Sequence, residues 1–173
     1  GTDTEYGKTI FTDSHSNTYV AGNYRGASIT FGSTTLTNMA VGNYDFFLVK
    51  YDSLGNVLWA KKGDGLNDDI CNSICVDTLG NIYVTGYFSG TVNLTTTFLT
   101  SSGITAFVVK YDAAGNTIWA KKTTGASTAY GMSICNDIFG NVIVTGQFDG
   151  SAMTAGSTTL TNIATGSDKF LIK

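Results

Sequence analysis

The chain has 173 residues, a formal net charge of −3, 13% charged residues and 42% hydrophobic residues, which is enough for a core. Its ten Lys and Arg residues form no run or stripe, so the composition argues against nucleic acid as a partner. No apolar stretch approaches the roughly 18 residues that a membrane-spanning helix needs. Abundant Thr, Ser and Asn, 21 Gly and no Pro favour strands joined by tight turns over helices.

Three sequence blocks recur in the same order along the chain. The first reads Asn-x-x-Val-x-Gly, the second contains Phe-x-Val-Lys or Phe-x-Ile-Lys, and the third reads Gly-Asn-x-x-Trp-Ala-Lys-Lys. Such self-similarity indicates a repeat architecture. The blocks lie at 17–22, 46–52 and 55–62 in the first copy, at 81–86, 106–112 and 115–122 in the second, and at 141–146 and 169–173 in the third, which stops before the third block.

Each full copy predicts four strands, because the blocks are rich in β-branched and aromatic residues without a helical period. In the second copy these strands are predicted at about 72–77, 81–86, 107–112 and 117–122. We expect a single repeat domain, divided into units at 6–69, 70–129 and 130–173.

One turn pattern, Asp-x-x-Gly-Asn, separates the first strand from the second and the third from the fourth. The Asp side chain can accept hydrogen bonds from the N–H groups ahead of it in a type I turn, and Gly takes the following left-handed position. Ser16 replaces this Gly in the first copy, so we expect strain or a different geometry there. The pattern lies at 13–17, 52–56, 77–81, 112–116 and 137–141.

The connection between the second and third strands varies in length, as expected for a surface segment. Its first and third copies share the string Gly-Ser-Thr-Thr-Leu-Thr-Asn, at 32–38 and 156–162. The alternating pattern of this string is compatible with an edge strand added to the unit.

A period near 60 residues with four antiparallel strands per unit predicts an all-β fold of β-propeller-like blades. We expect two complete blades and a partial third, which is an incomplete ring or a fragment of a larger propeller. Trp59 and Trp119 occupy the same place in the fourth strand and should pack between neighbouring blades.

The runs at 80–86, 107–112 and 115–121 resemble the bacterial SBBP-type β-propeller repeat. The resemblance implies a large secreted or surface-attached protein of Bacteroidetes-like bacteria, and it supplies no catalytic residues. Since the chain begins with Gly and has no signal-like segment, we expect a mature or excised piece of such a protein.

The three cysteines are expected to be free, buried and structural. Cys71 and Cys75 lie on one predicted strand about 13 Å apart, too far for a disulfide. Cys75 and Cys135 share a repeat position that holds Phe11 in the first copy, which indicates an apolar slot. No Cys or His spacing indicates zinc.

The charged residues give no catalytic set, so we expect no catalytic residue, no cofactor and no metal. His15, the only histidine, should be a solvated turn residue. The Asp-x-x-Gly-Asn turns lack the oxygen spacing of a calcium loop. Lys50, Lys110 and Lys173 should pair with carboxylates or cap the blade rim. The acidic stretch Asp64, Asn67, Asp68 and Asp69 is interpreted as a solvated loop.

The residues that repeat symmetry does not explain are the candidates for ligand binding. Tyr24, Arg25, Tyr44 and Asp45 belong to the longest connection of the first copy. An aromatic ring beside charges and amides can stack on a sugar or hold a peptide.

We therefore expect a non-catalytic scaffold, adhesion or binding module of a secreted or cell-surface protein, with a protein or glycan ligand. The alternative is a self-assembling component in which chains complete each other's blades. The partners would then be other copies of the chain, or further blades of the parent chain. A propeller enzyme is the third hypothesis, which the scarcity of His and the turn positions of the carboxylates disfavour.

Overall fold

The computed structural model describes residues 1, 3–163 and 166–173. These residues form fifteen strands and no helix, and so contain none that could cross a bilayer. The strands are β1 (Glu5–Thr12), β2 (Thr18–Tyr24), β3 (Ser28–Phe31), β4 (Thr34–Thr37), β5 (Asp45–Tyr51), β6 (Val57–Gly65), β7 (Asp69–Val76), β8 (Ile82–Asn93), β9 (Phe98–Tyr111), β10 (Thr117–Lys122), β11 (Thr128–Asn136), β12 (Val142–Asp149), β13 (Ala152–Ala155), β14 (Thr158–Thr161) and β15 (Asp168–Ile172).

The main strands form three antiparallel units, which follow the three sequence copies. Unit 1 is β1-β2-β5-β6, unit 2 is β7-β8-β9-β10, and unit 3 is β11-β12-β15. The end of β6 also pairs with β8, which joins units 1 and 2 into one sheet. This arrangement of antiparallel sheets confirms the predicted all-β class and is consistent with a propeller-like repeat.

The core lies between units because each strand sends alternate side chains to opposite faces. In β8, Ile82 and Val84 enter a cluster shared with unit 1, whereas Tyr83 enters a cluster shared with unit 3. We call these two interfaces junction 1–2 and junction 2–3. Trp59 packs against the first cluster and Trp119 against the second, as the sequence predicts.

The predicted Asp turns form in all five places. At residues 13–17 the Asp13 carboxylate accepts hydrogen bonds from the N–H groups of His15 and Asn17, both at 2.9 Å. Ser16 adopts a φ of 61°, close to the 80° of Gly80, so the first turn keeps the same hydrogen bonds and places a non-glycine residue in the left-handed region. Of the two alternatives expected from the sequence, a strained turn or a different turn geometry, the structure agrees with the strained turn.

The connection between the second and third strands differs from the prediction. The string at 32–38 contributes β4, which pairs with β3 as a separate two-stranded hairpin and not as an edge strand of unit 1. β13 and β14 repeat this hairpin in unit 3, while in unit 2 the two strands β8 and β9 simply extend. Alternating Thr and apolar residues favour the two strands of the hairpin, but tertiary packing determines which neighbour each strand pairs with.

The cysteines are free, and two of the three are buried as predicted. Cys71 and Cys75 lie in the two clusters, whereas Cys135 is exposed, so its predicted burial is wrong. Burial first and the charge of Cys135 next raise the thiol pKa of Cys75 to about 12.

Candidate functional site

Each unit has two distinct ends. The Asp turns lie at one end of the strands, which we call the turn end. The connections between the second and third strands, and the links from one unit to the next, lie at the opposite end, which we call the loop end. Side chains that the repeat does not explain gather at the loop end of junction 1–2.

Junction 1–2 is held by hydrogen bonds between a side chain of unit 1 and the backbone of unit 2. The Asn23 amide donates to the Cys71 carbonyl at 3.2 Å, and its oxygen accepts the Cys71 N–H at 2.9 Å. Beyond the strands, the Asp69 N–H donates to the Tyr44 carbonyl at 2.7 Å, and the Tyr44 N–H donates to Asp68 at 2.8 Å. The loop before β5 is thereby fixed to the loop before β7.

Three carboxyl groups are buried at the loop end. Asp45 begins β5, Asp64 lies near the end of β6, and Asp69 begins β7; these residues are 0%, 4% and 0% exposed. Asp45 pairs with Tyr24 on the face of unit 1 that points away from unit 2, whereas Asp69 of unit 2 lies against Gly65. The sequence placed Asp45 in a loop and Asp64 and Asp69 in a solvated stretch, and both predictions are wrong. Strand pairing carries these residues inward, while Asn67 and Asp68 remain exposed as predicted.

A glycine allows the carboxyl groups to lie against the end of β6. A Cβ atom on Gly65 would lie 2.3 Å from the Thr91 carbonyl oxygen and 2.7 Å from a carboxyl oxygen of Asp69. Any other residue would push β6 away from β8 and from Asp69. Gly65 therefore permits the close approach that buries the cluster.

The surroundings of these carboxyl groups favour their neutral forms. Burial raises the pKa of Asp69 to about 9, with further contributions from Asp45, Asp64 and Asp68. Burial first and the charge of Asp64 next raise the pKa of Asp45 to about 7, while the Gly65 and Met39 N–H groups and the charge of Lys62 oppose this rise. Lys62 forms an ion pair with Asp64. Among the described residues, no three His, Cys, Asp or Glu side chains are grouped so that they could hold a metal ion.

At the surface of this end, two aromatic rings lie next to each other between two cationic groups. The Arg25 guanidinium lies 6.0 Å from the centroid of the Tyr44 ring, which lies 5.9 Å from the Tyr6 ring, and Lys8 Nζ lies 5.8 Å from the Tyr6 centroid. Arg25 also donates to the Gly42 carbonyl at 2.9 Å, which fixes its direction. We call Lys8, Tyr6, Tyr44 and Arg25 the ring-and-cation row.

The four predicted ligand-binding residues lie close together, but two of them are at the surface and two are buried. Arg25 and Tyr44 stack on the surface, as a ligand platform requires. Tyr24 and Asp45 are opposite each other on β2 and β5 and are fully buried, so neither lies in the loop where the sequence placed it. Tyr6 and Lys8 were missed, because only the approach of β1 to the loop before β5 brings them to Tyr44.

A concave surface lies at the opposite end of junction 1–2, the turn end. It is a cavity of about 310 Å³ bordered by two Asp turns, and His15, Tyr19 and Lys50 line it. Lys50 lies 5.1 Å from the Tyr19 centroid, and the Tyr19 hydroxyl donates to Asp13 at 3.1 Å. Lys110, Tyr83 and Asp77 repeat this arrangement in unit 2.

The third repeated lysine behaves differently. Lys173 forms an ion pair with Asp137 at 2.8 Å, as predicted for these lysines, and the pKa of that carboxyl is lowered, first by Lys173 and then by the Asn141 amide. Because repeat symmetry explains the turn-end groups, they are interpreted as structural.

The fold therefore defines an all-β protein built from antiparallel repeat units. Residues 63–87, from the end of β6 through β7 into β8, match the SBBP family, described as a beta-propeller repeat. This confirms the resemblance at the level of the repeat.

The chain is also 30% identical over 159 residues to an uncharacterized WD repeat-containing protein, L264, of Acanthamoeba polyphaga mimivirus. The match covers 82% of this chain but 11% of that relative, so the chain spans about a ninth of the relative's length. The relative is viral, and neither comparison shows the bacterial source that the resemblance implies.

Proposed function

We propose that the chain is a non-catalytic binding module whose units, at 6–69, 70–129 and 130–173, form blades of a larger propeller. The ring-and-cation row is its contact surface for a glycan or protein. The observation that carries this proposal is that the exposed Arg25 lies over the half-buried ring of Tyr44 where the repeat requires neither residue. Ser89 and Asp149 stand at the position of Arg25 in the other units.

The chemistry of the row suits ligands with flat or anionic groups. Tyrosine rings stack on sugar faces and peptide groups, and a guanidinium donates paired hydrogen bonds to carboxylates. Arg25 is already oriented by its bond to the Gly42 carbonyl, so binding would order it little further. Support for a binding role also comes from the repeat match and from the WD repeat-containing relative.

The test is binding of the whole chain to a broad glycan array and to candidate partner proteins. We expect a binder whose affinity falls at least about tenfold, roughly 1.4 kcal/mol, in Arg25→Ala and in Tyr44→Ala. Lys121→Ala, an exposed cation on β10, is the matched control and should bind normally. A ligand held equally by all three variants would contradict this placement of the contact surface.

The proposal includes a secreted or cell-surface location in a bacterium, which rests on the SBBP resemblance alone. It includes no catalytic step and no cofactor. His15 is exposed on a turn, and the carboxylates of the five turns are engaged by backbone N–H groups. A hydrolase or lyase activity abolished by Asp45→Asn or Asp69→Asn would instead favour the enzyme hypothesis.

One observation favours a second role, in which unit 3 receives another unit of the same repeat. Its outward face carries a cavity of about 430 Å³ lined by Met132, Gly146 and Phe170, among others. At the matching place in unit 2, Asn72 donates to the Gly131 carbonyl at 2.8 Å and so holds β11. The face thus has the form that accepts a first strand, from a second copy or from another unit of the parent chain.

Light scattering over a range of concentrations tests this second role. Met132→Lys should abolish self-association if the face is used, whereas Ile118→Lys should not. Both residues are 51% exposed, so the two variants differ in position and not in burial. A chain that is monomeric at every concentration would exclude assembly from separate copies.

A further inference from the structure

A second pair of tyrosines lies at the loop end of junction 2–3. The ring centroids of Tyr87 on β8 and Tyr130 on β11 are 4.9 Å apart, and the two ring planes meet at 75°. In such an edge-to-face pair, the ring that contributes its edge keeps both of its faces uncovered by the other. Both residues are half-buried, so the pair is accessible from solvent. It resembles the pair in the ring-and-cation row, Tyr6 and Tyr44, whose centroids are 5.9 Å apart.

The repeat does not require a tyrosine at the position of Tyr87. Strand pairing sets Tyr87 opposite Ile70, and the matching position holds Asn23 in unit 1 and Gln147 in unit 3. The amide of Asn23 both donates to and accepts from the Cys71 backbone, and so joins units 1 and 2. A single phenol group cannot make that pair of bonds. Unit 2 therefore presents an aromatic ring where unit 1 uses an amide to hold its neighbour.

Asp68 links the two tyrosine pairs. One of its carboxyl oxygens accepts the Tyr44 N–H at 2.8 Å. Burial first and the charge of Asp68 next raise the pKa of the Tyr87 phenol. Asp68 is exposed, and its second oxygen accepts no hydrogen bond from the described part of the chain. Since Thr4 and Thr128 stand at the matching positions, the repeat does not require this carboxylate either.

Strand order brings these side chains to one surface. β7 packs against β1 on one side and against β11 on the other. Tyr6 on β1 and Tyr130 on β11 occupy the same repeat position, on either side of Ile70 on β7. The surface therefore continues from unit 1 across unit 2 to unit 3. We call it the extended row, and its members are Tyr6, Tyr44, Asp68, Tyr87 and Tyr130.

We propose that the extended row binds a chain of several sugar residues, with one stacking site at Tyr6 and Tyr44 and a second at Tyr87 and Tyr130. The rings stack on the sugar faces, and Asp68 accepts hydrogen bonds from the hydroxyl groups between them. This inference rests on the proposed function, because it lengthens the same contact surface and names an oligosaccharide as its ligand.

A sugar chain suits the extended row better than a peptide does. Aromatic rings alone would also suit a proline-rich segment. Proline has no N–H group, so such a segment would leave the free oxygen of Asp68 without a donor. Every residue of a sugar chain has both a face that can stack and hydroxyl groups that can donate. Stacking and hydrogen bonding therefore alternate along the ligand as rings and carboxylate alternate along the row.

The experiment measures the affinity of the whole chain for oligosaccharides of increasing length by isothermal titration calorimetry. The probes are the chito-, cello-, xylo- and laminari-oligosaccharides, from the disaccharide to the hexasaccharide. For the series that binds, we expect the wild-type affinity to rise at least about tenfold from the disaccharide to the hexasaccharide, because the longer chain reaches both stacking sites.

Three variants locate the second stacking site. Tyr87→Asn introduces the residue that unit 1 has at this position, so the variant should fold, and it should lose most of the gain with chain length. Asp68→Asn keeps an acceptor for the Tyr44 N–H but removes the charge, and it should weaken hexasaccharide binding by a smaller factor, about threefold. Phe98→Ala removes an exposed ring at the start of β9, outside the row, and should bind as the wild type does. Urea denaturation checks that each variant is folded.

The possible results separate this inference from the proposed function. An affinity that is independent of chain length, or unchanged in Tyr87→Asn, would overturn the extended row; if Arg25→Ala still weakened binding, the proposed contact surface would stand. A proline-rich peptide bound by the wild type and lost in both Tyr87→Asn and Arg25→Ala would assign the row to a peptide and overturn the sugar chain. Failure of every oligosaccharide series to bind would also overturn it.

Discussion

The loop ends of units 1 and 2 use one backbone arrangement with opposite side-chain chemistry. Strand register aligns four positions, because Tyr24 faces Asp45 on unit 1 as Phe88 faces Thr105 on unit 2. The loop end of unit 1, together with the start of β7, has polar groups at all four and leaves most of them unsatisfied. The loop end of unit 2, together with the start of β11, has a ring, two hydroxyls and a methyl group. The positions are Tyr24, Asp45, Asp64 and Asp69 in the first case, and Phe88, Thr105, Thr124 and Ala129 in the second.

The difference shows that the fold itself does not require the buried carboxyls. At the loop end of unit 2, Thr105 satisfies its hydroxyl within its own unit, by bonds to Ser101 and to the Gly103 carbonyl. Units 2 and 3 still pack through an apolar cluster. The buried carboxyls at the loop end of unit 1 are therefore expected to lower stability at neutral pH.

The largest effect is expected from removing a ring of the apolar cluster. Phe46 is fully buried in unit 1, and its ring lies 5.7 Å from Phe107 of unit 2. Phe46→Ala should lower the free energy of unfolding by about 3–5 kcal/mol, measured by urea denaturation, because it combines lost burial with a cavity. Phe148→Ala should cost a similar amount at junction 2–3. Thiol labelling should find Cys71 opened in the first variant and Cys75 in the second, and the reverse order would contradict this assignment of the clusters.

The next effect comes from giving the loop end of unit 1 and the start of β7 the chemistry of the matching positions in units 2 and 3. The triple variant Tyr24→Phe, Asp45→Thr, Asp69→Ala should raise the free energy of unfolding at pH 8 by about 1–4 kcal/mol, because it removes buried ionisable groups. At pH 4.5 the acids are neutral in the folded chain, so the gain should disappear. Thermal unfolding at the two pH values tests this. A gain of equal size at both would show that packing, and not ionisation, is responsible.

A smaller effect is expected from the hydrogen bonds that cross each junction. Asn23→Ala removes two bonds to Cys71 in a fully buried site and should cost about 1–3 kcal/mol. Asn72→Ala removes the bond to the Gly131 carbonyl in a partly buried site and should cost about 0.5–1.5 kcal/mol. Urea denaturation compares the two variants. An equal loss from both would show that the junctions depend on these bonds to the same extent.

The smallest effect is expected at the first turn. Ser16 holds a φ of 61°, where glycine is preferred, so Ser16→Gly should stabilise the chain by about 0.5–1 kcal/mol. Gly80→Ala places a Cβ at a φ of 80° in the matching turn of unit 2 and should destabilise by a similar amount or more. The shift in melting temperature of each variant gives the measurement. Changes of the same sign would contradict the shared turn geometry.

Much of the fold could be predicted because its signals are local. Three aligned blocks predicted the units, and the Asp-x-x-Gly-Asn pattern predicted five turns whose hydrogen bonds the structure contains. The strands were predicted at nearly the right places, although β8 and β9 extend beyond 86 and before 107 to form one long hairpin. That extension depends on pairing between distant residues, and the alternation of polar and apolar residues does not determine this pairing.

The candidate site was only half predicted. The sequence singled out Arg25 and Tyr44 because repeat symmetry does not explain them, and the structure stacks them. It assigned the acidic residues of 64–69 to solvent, because a run of carboxylates is usually solvated. Strand pairing of β6 with β8 and of β7 with β8 turned two of them inward. No local pattern distinguishes an inward from an outward Asp at the end of a strand.

The sequence by itself therefore determined the repeat, the all-β class and the turn chemistry, since each depends on residues close together in the chain. Tertiary structure decided which faces of the units meet, that Cys135 is exposed, and that Asp45 and Asp69 are buried. These outcomes depend on contacts between residues 24 to 48 positions apart, for which register and packing, rather than propensity, set the side-chain environment.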